Sequence, residues 1–184
     1  MKHKILVLGP QGSGKGTQAD ILAKKLGIPA LSMGQLLRDE VSSGSVLGRK
    51  IDDIIKGGDL VSDDAALDVL KVRVQKHDAL GGYIIDGYPR NMAQLQTFDD
   101  FDVPTALVVI TIPTEETLKR LLKRAEIERR EDDNEETIMK RLEIYHNDTE
   151  PIIEEYRKLG VVHEVDGIGT IEEVSERVGK IFDL

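Results

Sequence analysis

The segment Gly9-Pro10-Gln11-Gly12-Ser13-Gly14-Lys15-Gly16-Thr17 gathers the residue types best suited to hold phosphate. Its glycines let the backbone curl so that successive N–H groups point inward at phosphate oxygens. The expected ligands of a nucleoside triphosphate are Gly12, Ser13, Gly14, Lys15, Gly16 and Thr17. Lys15 supplies a mobile full charge for the β- and γ-phosphates, and Thr17 offers a hydroxyl to phosphate or to a metal shell. The strict form of this motif puts Ser or Thr directly after the lysine, whereas Gly16 intervenes here.

Holding a nucleotide does not establish chemistry, and further residues carry that argument. Asp86-Gly87-Tyr88-Pro89-Arg90 follows a short apolar run. In an open parallel sheet the carboxyl ends of the strands form the ligand crevice. Asp86 is therefore expected near the phosphate loop, where its charge could hold waters around Mg2+, and Arg90 is expected to project over the crevice. Arg120 and Arg124, four apart, share one side of a helix. From Lys119 to Arg130 six basic residues stand against two acidic ones, Glu126 and Glu128, a local excess of four positive charges in a chain of net charge −9. Arg141 follows on the next helical stretch. Concentrated arginine near a phosphate loop fits bidentate gripping of several phosphoryl groups.

These groups need a scaffold. Ile5–Leu8, Gly82–Asp86, Ala106–Ile112 and Val161–Val165 read as buried strands. Between them lie segments of helical periodicity, among them Gln18–Leu26, stopped by Gly27 and Pro29, and Glu115–Ala125. Such alternation predicts a parallel sheet covered by helices on both faces. Residues 32–62 read instead as an insertion of short helices broken at Gly44, Gly48 and Gly57-Gly58. Residues 126–133 are almost wholly charged and join two helical stretches.

Composition narrows the classes further. With 184 residues, 40% hydrophobic and 32% charged, the chain reads as one soluble globular unit. The zero cysteine count excludes disulfides, thiolate zinc sites and cysteine nucleophiles. No apolar run approaches the ~18 residues of a membrane helix, and the N-terminal run is too brief for a signal peptide. No membrane partner and a cytoplasmic location are expected. A net charge of −9 argues against a nucleic-acid partner.

Together these motifs resemble the adenylate kinases, within the nucleoside monophosphate kinases. The resemblance rests on Gly9–Thr17 with its Gly-Lys-Gly-Thr ending, on Leu31-Ser32-Met33-Gly34-Gln35-Leu36-Leu37-Arg38, and on Asp86–Arg90 with Gln94. It continues through Arg120 with Arg124, Arg130-Glu131-Asp132-Asp133, Lys140–His146 and Val165-Asp166-Gly167, in family order across nearly the whole chain. The implied fold is α/β: a three-layer P-loop nucleoside-kinase fold with a parallel five-stranded sheet, a helical monophosphate-binding insertion and a short lid. The implied division is a core of 1–31, 62–124 and 135–184, an insertion of 32–61 and a lid of 125–134.

The resemblance also implies roles. Arg38 and Arg90 would hold the AMP phosphate, and Gln94 would read the adenine edge. Met33, the backbone at Asp59, Leu60 and Val61, and Gly87, Tyr88 and Pro89 would complete the AMP site. Arg120 and Arg124 would contact ATP, the backbone near Gly169 would touch its base, and Arg130 and Arg141 would bridge the transferring group. Lys15, Arg90, Arg120, Arg130 and Arg141 are the implied catalytic cations. Asp86, through water, and Thr17 are the candidate magnesium-side residues, and no zinc is expected. Three departures stand out: the order Gly9-Pro10-Gln11, Gln35 where an acid is frequent, and Met33 where AMP-specific members usually carry Thr and pyrimidine-specific members Ala. Gln94 favours adenine, because its amide both donates and accepts.

The expected reaction is reversible transfer from Mg-ATP to AMP, giving two ADP, by a monomer. The attacking phosphate oxygen is already anionic, so no general base is required. His77 and His146 are expected to be structural or exposed. The alternative within the class is a UMP/CMP kinase, and from another class a nucleotide-dependent switch or binding module.

Overall fold

The computed structural model describes the backbone of residues 2–56, 62–128 and 135–184, with side chains at all of these except 53–56, 124–128 and 135–137. Five strands form one sheet, β1 (His3–Leu8), β2 (Ala30–Ser32), β3 (Gly82–Asp86), β4 (Ala106–Thr111) and β5 (Val162–Asp166), in the order β2-β3-β1-β4-β5. Every pairing is parallel, with Ile5 opposite Ile84 on one side and Ala106 on the other.

Side chains alternate across a strand, so β1 feeds two cores. Leu6 and Leu8 join Ile85, Leu107 and Val109 in the larger cluster. Helices α4 (Asp63–Val74) and α5 (Met92–Phe101) contribute Leu67, Leu70, Leu95 and Phe98 to it. Ile5 and Val7 join Ile84, Val108 and Ile110 on the opposite face, under Leu22 of α1 (Lys15–Leu26) and Val174 and Val178 of α9 (Ile171–Lys180). The result is the expected three-layer arrangement. Ile5 and Leu6 are both fully buried, which is why this run is apolar without alternation.

The remaining α-helices are α2 (Met33–Ser42), α3 (Val46–Lys56), α6 (Thr114–Glu128), α7 (Glu135–Ile144) and α8 (Glu150–Lys158), with a π turn at Tyr145–Thr149 joining the last two. Several boundaries differ from expectation. The strand β2 is only three residues long, too short for a periodic signal, and α1 begins at Lys15, three residues before the apolar pattern does. Helix α6 runs on to Glu128, so residues 126–128 are helical rather than part of a connecting loop. Gly48 does not break a helix. It lies inside α3, where an added Cβ would collide with the Glu40 carbonyl of α2, so its role is close packing of the pair. Gly44, in the left-handed region after α2, does end a helix. Gly57-Gly58 lies outside the described residues.

Candidate active site

The phosphate loop leaves β1 at the centre of the sheet and enters α1 directly. Gly12 and Gly14 take φ of 77° and 87°, a left-handed backbone that other residues resist. Gly14 is also the N-cap of α1, with no capping side chain and no acid in the first turn. The positive end of that helix faces the loop, with no acid in its own first turn to offset it. Lys15 Nζ donates to the Pro10 carbonyl at 3.3 Å, folding the lysine back over the loop.

Asp86 closes β3 opposite Val7, and the Gly87 N–H donates to the Val7 carbonyl at 3.3 Å. This pairing brings the Asp86 segment against the phosphate loop. A Cβ on Gly16 would lie 3.2 Å from Asp86 Oδ2, so Gly16 is what admits the carboxylate. Asp86 Oδ1 is buried without a hydrogen-bond partner. Burial pushes the Asp86 carboxyl above the usual range, Lys15 and Arg90 pull it down, and Asp20 raises it again.

Arg90 is held on several sides. Its Nε donates to the Gly87 carbonyl at 2.7 Å, and its backbone N–H donates to Gln94 Oε1 at 2.7 Å. The Thr149 hydroxyl of the π turn donates to its carbonyl at 3.0 Å. Arg90 keeps an exposed surface, yet the surrounding protein pushes its guanidinium below the ordinary arginine range. Asp86 opposes that shift and Arg141 adds to it. Exposure and crowding coexist where a group lines an open concavity. Arg141, on α7, reaches back to the phosphate loop, donating to Gln11 Oε1 at 3.4 Å.

Lys15, Asp86, Arg90 and Arg141 thus meet at one crevice. Arg120 lies on its flank, with Nε donating to Glu116 at 2.7 Å and Nη2 to the Gly167 carbonyl at 3.2 Å. These bonds engage two of the five N–H donors of a guanidinium. The same turn, which contains Gly169, is tied by Arg177 to the carbonyls of Asp166 and Ile168, and Gln18 of α1 donates to Ile171 at 3.0 Å.

Other candidates are placed differently. Arg38 is exposed on α2 and donates twice to Gln35 Oε1, at 2.7 and 3.2 Å, while Gln35 Nε2 donates to Asp39 at 2.7 Å. Gln35 thus bridges a cation and an acid, which an acidic residue at that position could not do. Met33 is 3% exposed and belongs to the larger core cluster, and Tyr88 is buried there with its ring edge-on to Phe98. Gln94 is buried on α5. His77 and His146 are exposed, as expected. Asp59, Leu60, Val61 and Arg130 lie outside the described residues, and of Arg124 only its place on α6 is described.

Sequence reasoning missed Thr149, Gln11 and Asp63. Nothing in the composition of the π turn signals that one of its hydroxyls meets a loop 59 residues away. Asn91 was missed as well, although an N-cap signal could have found it: its Oδ1 caps α5 by accepting from the Gln94 N–H at 2.8 Å.

A dipolar helix end and several cations sharing one sheet edge suit ligands of high negative charge. The class so defined is an α/β nucleotide-binding phosphotransferase. The family model described as adenylate kinase matches residues 7–161. The chain is 42% identical over 179 residues to an adenylate kinase of Thermobifida fusca, covering 95% of each chain. It is 43% identical over 182 residues to one of Xanthomonas euvesicatoria pv. vesicatoria (96% of this chain, 97% of the relative). With one of Thermus thermophilus the identity is 42% over 179 residues (95% and 94%). The chain belongs to the adenylate kinase family, and its reaction is phosphoryl transfer between ATP and AMP. None of these relatives is named as a pyrimidine-nucleotide kinase. Among the described residues no helix is long and apolar enough to cross a membrane.

Proposed function

We propose that the crevice bounded by the phosphate loop, Asp86, Arg90 and Arg141 is where the ATP γ-phosphoryl passes to the AMP phosphate. The observation carrying this reading is that Lys15 and Arg90 flank the half-buried Asp86 carboxylate at the carboxyl edge of the sheet, with Arg141 beside Arg90 and bonded to the phosphate loop. Gly12, Ser13, Gly14, Lys15, Gly16 and Thr17 hold the triphosphate, with Arg120, Arg124 and the Gly169 turn toward the rest of ATP. Arg38 and Arg90 hold the AMP phosphate. Gln94 meets the base, with Met33 beneath it and the backbone of Asp59, Leu60, Val61, Gly87, Tyr88 and Pro89 around it.

The chemistry asks little beyond position and charge. A phosphate monoester oxygen is already a nucleophile, so the chain must align it with the γ-phosphorus and stabilise charge spreading over the equatorial oxygens. Lys15, Arg90, Arg120, Arg130 and Arg141 supply that stabilisation. Asp86 and Thr17 fit magnesium: both offer oxygen, and Asp86 Oδ1 is buried and unpartnered. When bound with ATP, the ion would neutralise phosphate charge and order the chain of oxygens. Residues 32–61, leaving the sheet at its edge strand β2, act as the part that closes over AMP, and residues 125–134 as a short lid over a core of 1–31, 62–124 and 135–184. Closure excludes water, which would otherwise take the phosphoryl group. The chain works as a cytoplasmic monomer, since one chain carries every group named and both nucleotides are abundant there.

Coupled ADP production from Mg-ATP with AMP, UMP, CMP or GMP as acceptor tests this reading. Turnover should depend on the acceptor and be fastest with AMP. Equal rates with AMP and UMP would remove the adenine assignment, and ATP hydrolysis indifferent to every acceptor would remove the transfer reading.

A further inference from the structure

Two side-chain amides beside Arg90 have their polarity set by the main chain. Gln94 Oε1 accepts from the Arg90 N–H at 2.7 Å, and Asn91 Oδ1 accepts from the Gln94 N–H at 2.8 Å. A backbone N–H can only donate, so each partner identifies the amide oxygen and turns the nitrogen the other way. Both nitrogens then meet the same atom. Asp63 Oδ1, on the first residue of α4, accepts from Asn91 Nδ2 at 3.1 Å and from Gln94 Nε2 at 2.8 Å. A carboxylate can only accept. Gln94 is therefore gripped at its oxygen by an obligate donor and at its nitrogen by an obligate acceptor. Flipping the amide would set N–H against N–H and oxygen against carboxylate oxygen. At 8% exposure, little water is available to relieve either clash.

Each end of the Gln94 amide keeps one bonding position, a single N–H and a single lone pair, in a fixed order. We propose that Asp63 is a positioning residue that, together with the Arg90 N–H, sets this order and so makes the acceptor site distinguish a 6-amino purine from a 6-oxo purine. Adenine presents a ring-nitrogen acceptor beside an amino donor. Hypoxanthine, of the same size and shape, presents an N–H beside a carbonyl, the reverse arrangement. An amide free to turn serves both bases, whereas one held by Asp63 serves one. The inference rests on the reading that Gln94 faces the acceptor base.

The experiment compares kcat/KM for AMP and for IMP, with Mg-ATP as donor, in the full chain and in Asp63→Leu, Asp63→Ala and Gln94→Ala. Both Asp63 variants remove the shared acceptor, Asp63→Leu while keeping much of the side-chain volume. The AMP-to-IMP ratio should fall by about tenfold or more in both Asp63 variants, mainly through a higher KM for AMP, with kcat for AMP within about threefold of the unmodified chain. A general loss of folded protein lowers both substrates alike and leaves the ratio in place, so the ratio reads positioning rather than stability. An unchanged ratio in the Asp63 variants, alongside a fall in Gln94→Ala, overturns the role of Asp63. A ratio that survives Gln94→Ala also overturns the proposal, through the base-reading premise rather than the Asp63 contact.

Discussion

The Thr149 hydroxyl donates to the main-chain carbonyl of Arg90 at 3.0 Å, tying the π turn between α7 and α8 to the loop after β3. π turns recur at functional sites because they redirect one turn of helix without ending it. Here the redirected side chain holds the residue expected to clamp phosphate. Thr149→Val keeps the volume and removes the bond. We expect kcat to fall by about tenfold, with KM for ATP nearly unchanged and Thr149→Ser close to normal. Steady-state kinetics on the three proteins checks this.

Arg90→Ala should nearly abolish transfer, by about 10³-fold, as when an arginine is removed from other phosphoryl transfers. ATP should still bind, because the loop from Gly12 to Thr17 is untouched. Single-turnover kinetics and ATP titration separate the two. A variant keeping more than about a tenth of the rate would remove the clamp role.

A glycine inside a helix usually costs stability, so Gly→Ala at an interior position normally helps by roughly 0.5–1 kcal/mol. Gly48→Ala should do the opposite. The added methyl would lie far inside van der Waals contact of the Glu40 carbonyl oxygen, so the α2–α3 contact must open by about 1 Å. We expect a loss of about 1–3 kcal/mol in denaturant unfolding and a higher KM for AMP.

Asp86 presents the usual conflict between stability and activity. Its carboxyl is pushed above the ordinary range by burial, and Oδ1 has no partner. Keeping it ionised at neutral pH therefore costs folding energy, despite Lys15 and Arg90. Asp86→Asn should raise the thermal midpoint of the nucleotide-free protein while sharply lowering transfer. Thermal melts with and without Mg-ATP, together with an ADP assay, test both halves.

The phosphate loop and the central strands were legible because buried strands need continuous apolar runs, and because a chain that curls around phosphate needs glycine. The three-residue β2 left no periodic trace, since Ala30-Leu31-Ser32 follows Pro29 and is too short for a pattern. Gly48 misled because sequence does not distinguish a glycine that breaks a helix from one that lets two helices touch. Asp63 and Thr149 were silent for a different reason. Their meaning lies in partners on other elements, and an aspartate opening a helix or a threonine between helices has an ordinary local explanation.

The position of β1 in the sheet also governs when the protein can begin to fold. Its two neighbours pair through His3 with Gly82 and through Ile5 with Ala106, so its partners emerge about eighty and a hundred residues later in synthesis. Until then Ile5–Leu8 is an apolar strand with both edges open, the kind of segment that invites pairing with another chain. The order of the sheet thus makes assembly depend on closing a long loop, and a nascent chain cut short before β4 should aggregate where the whole chain folds.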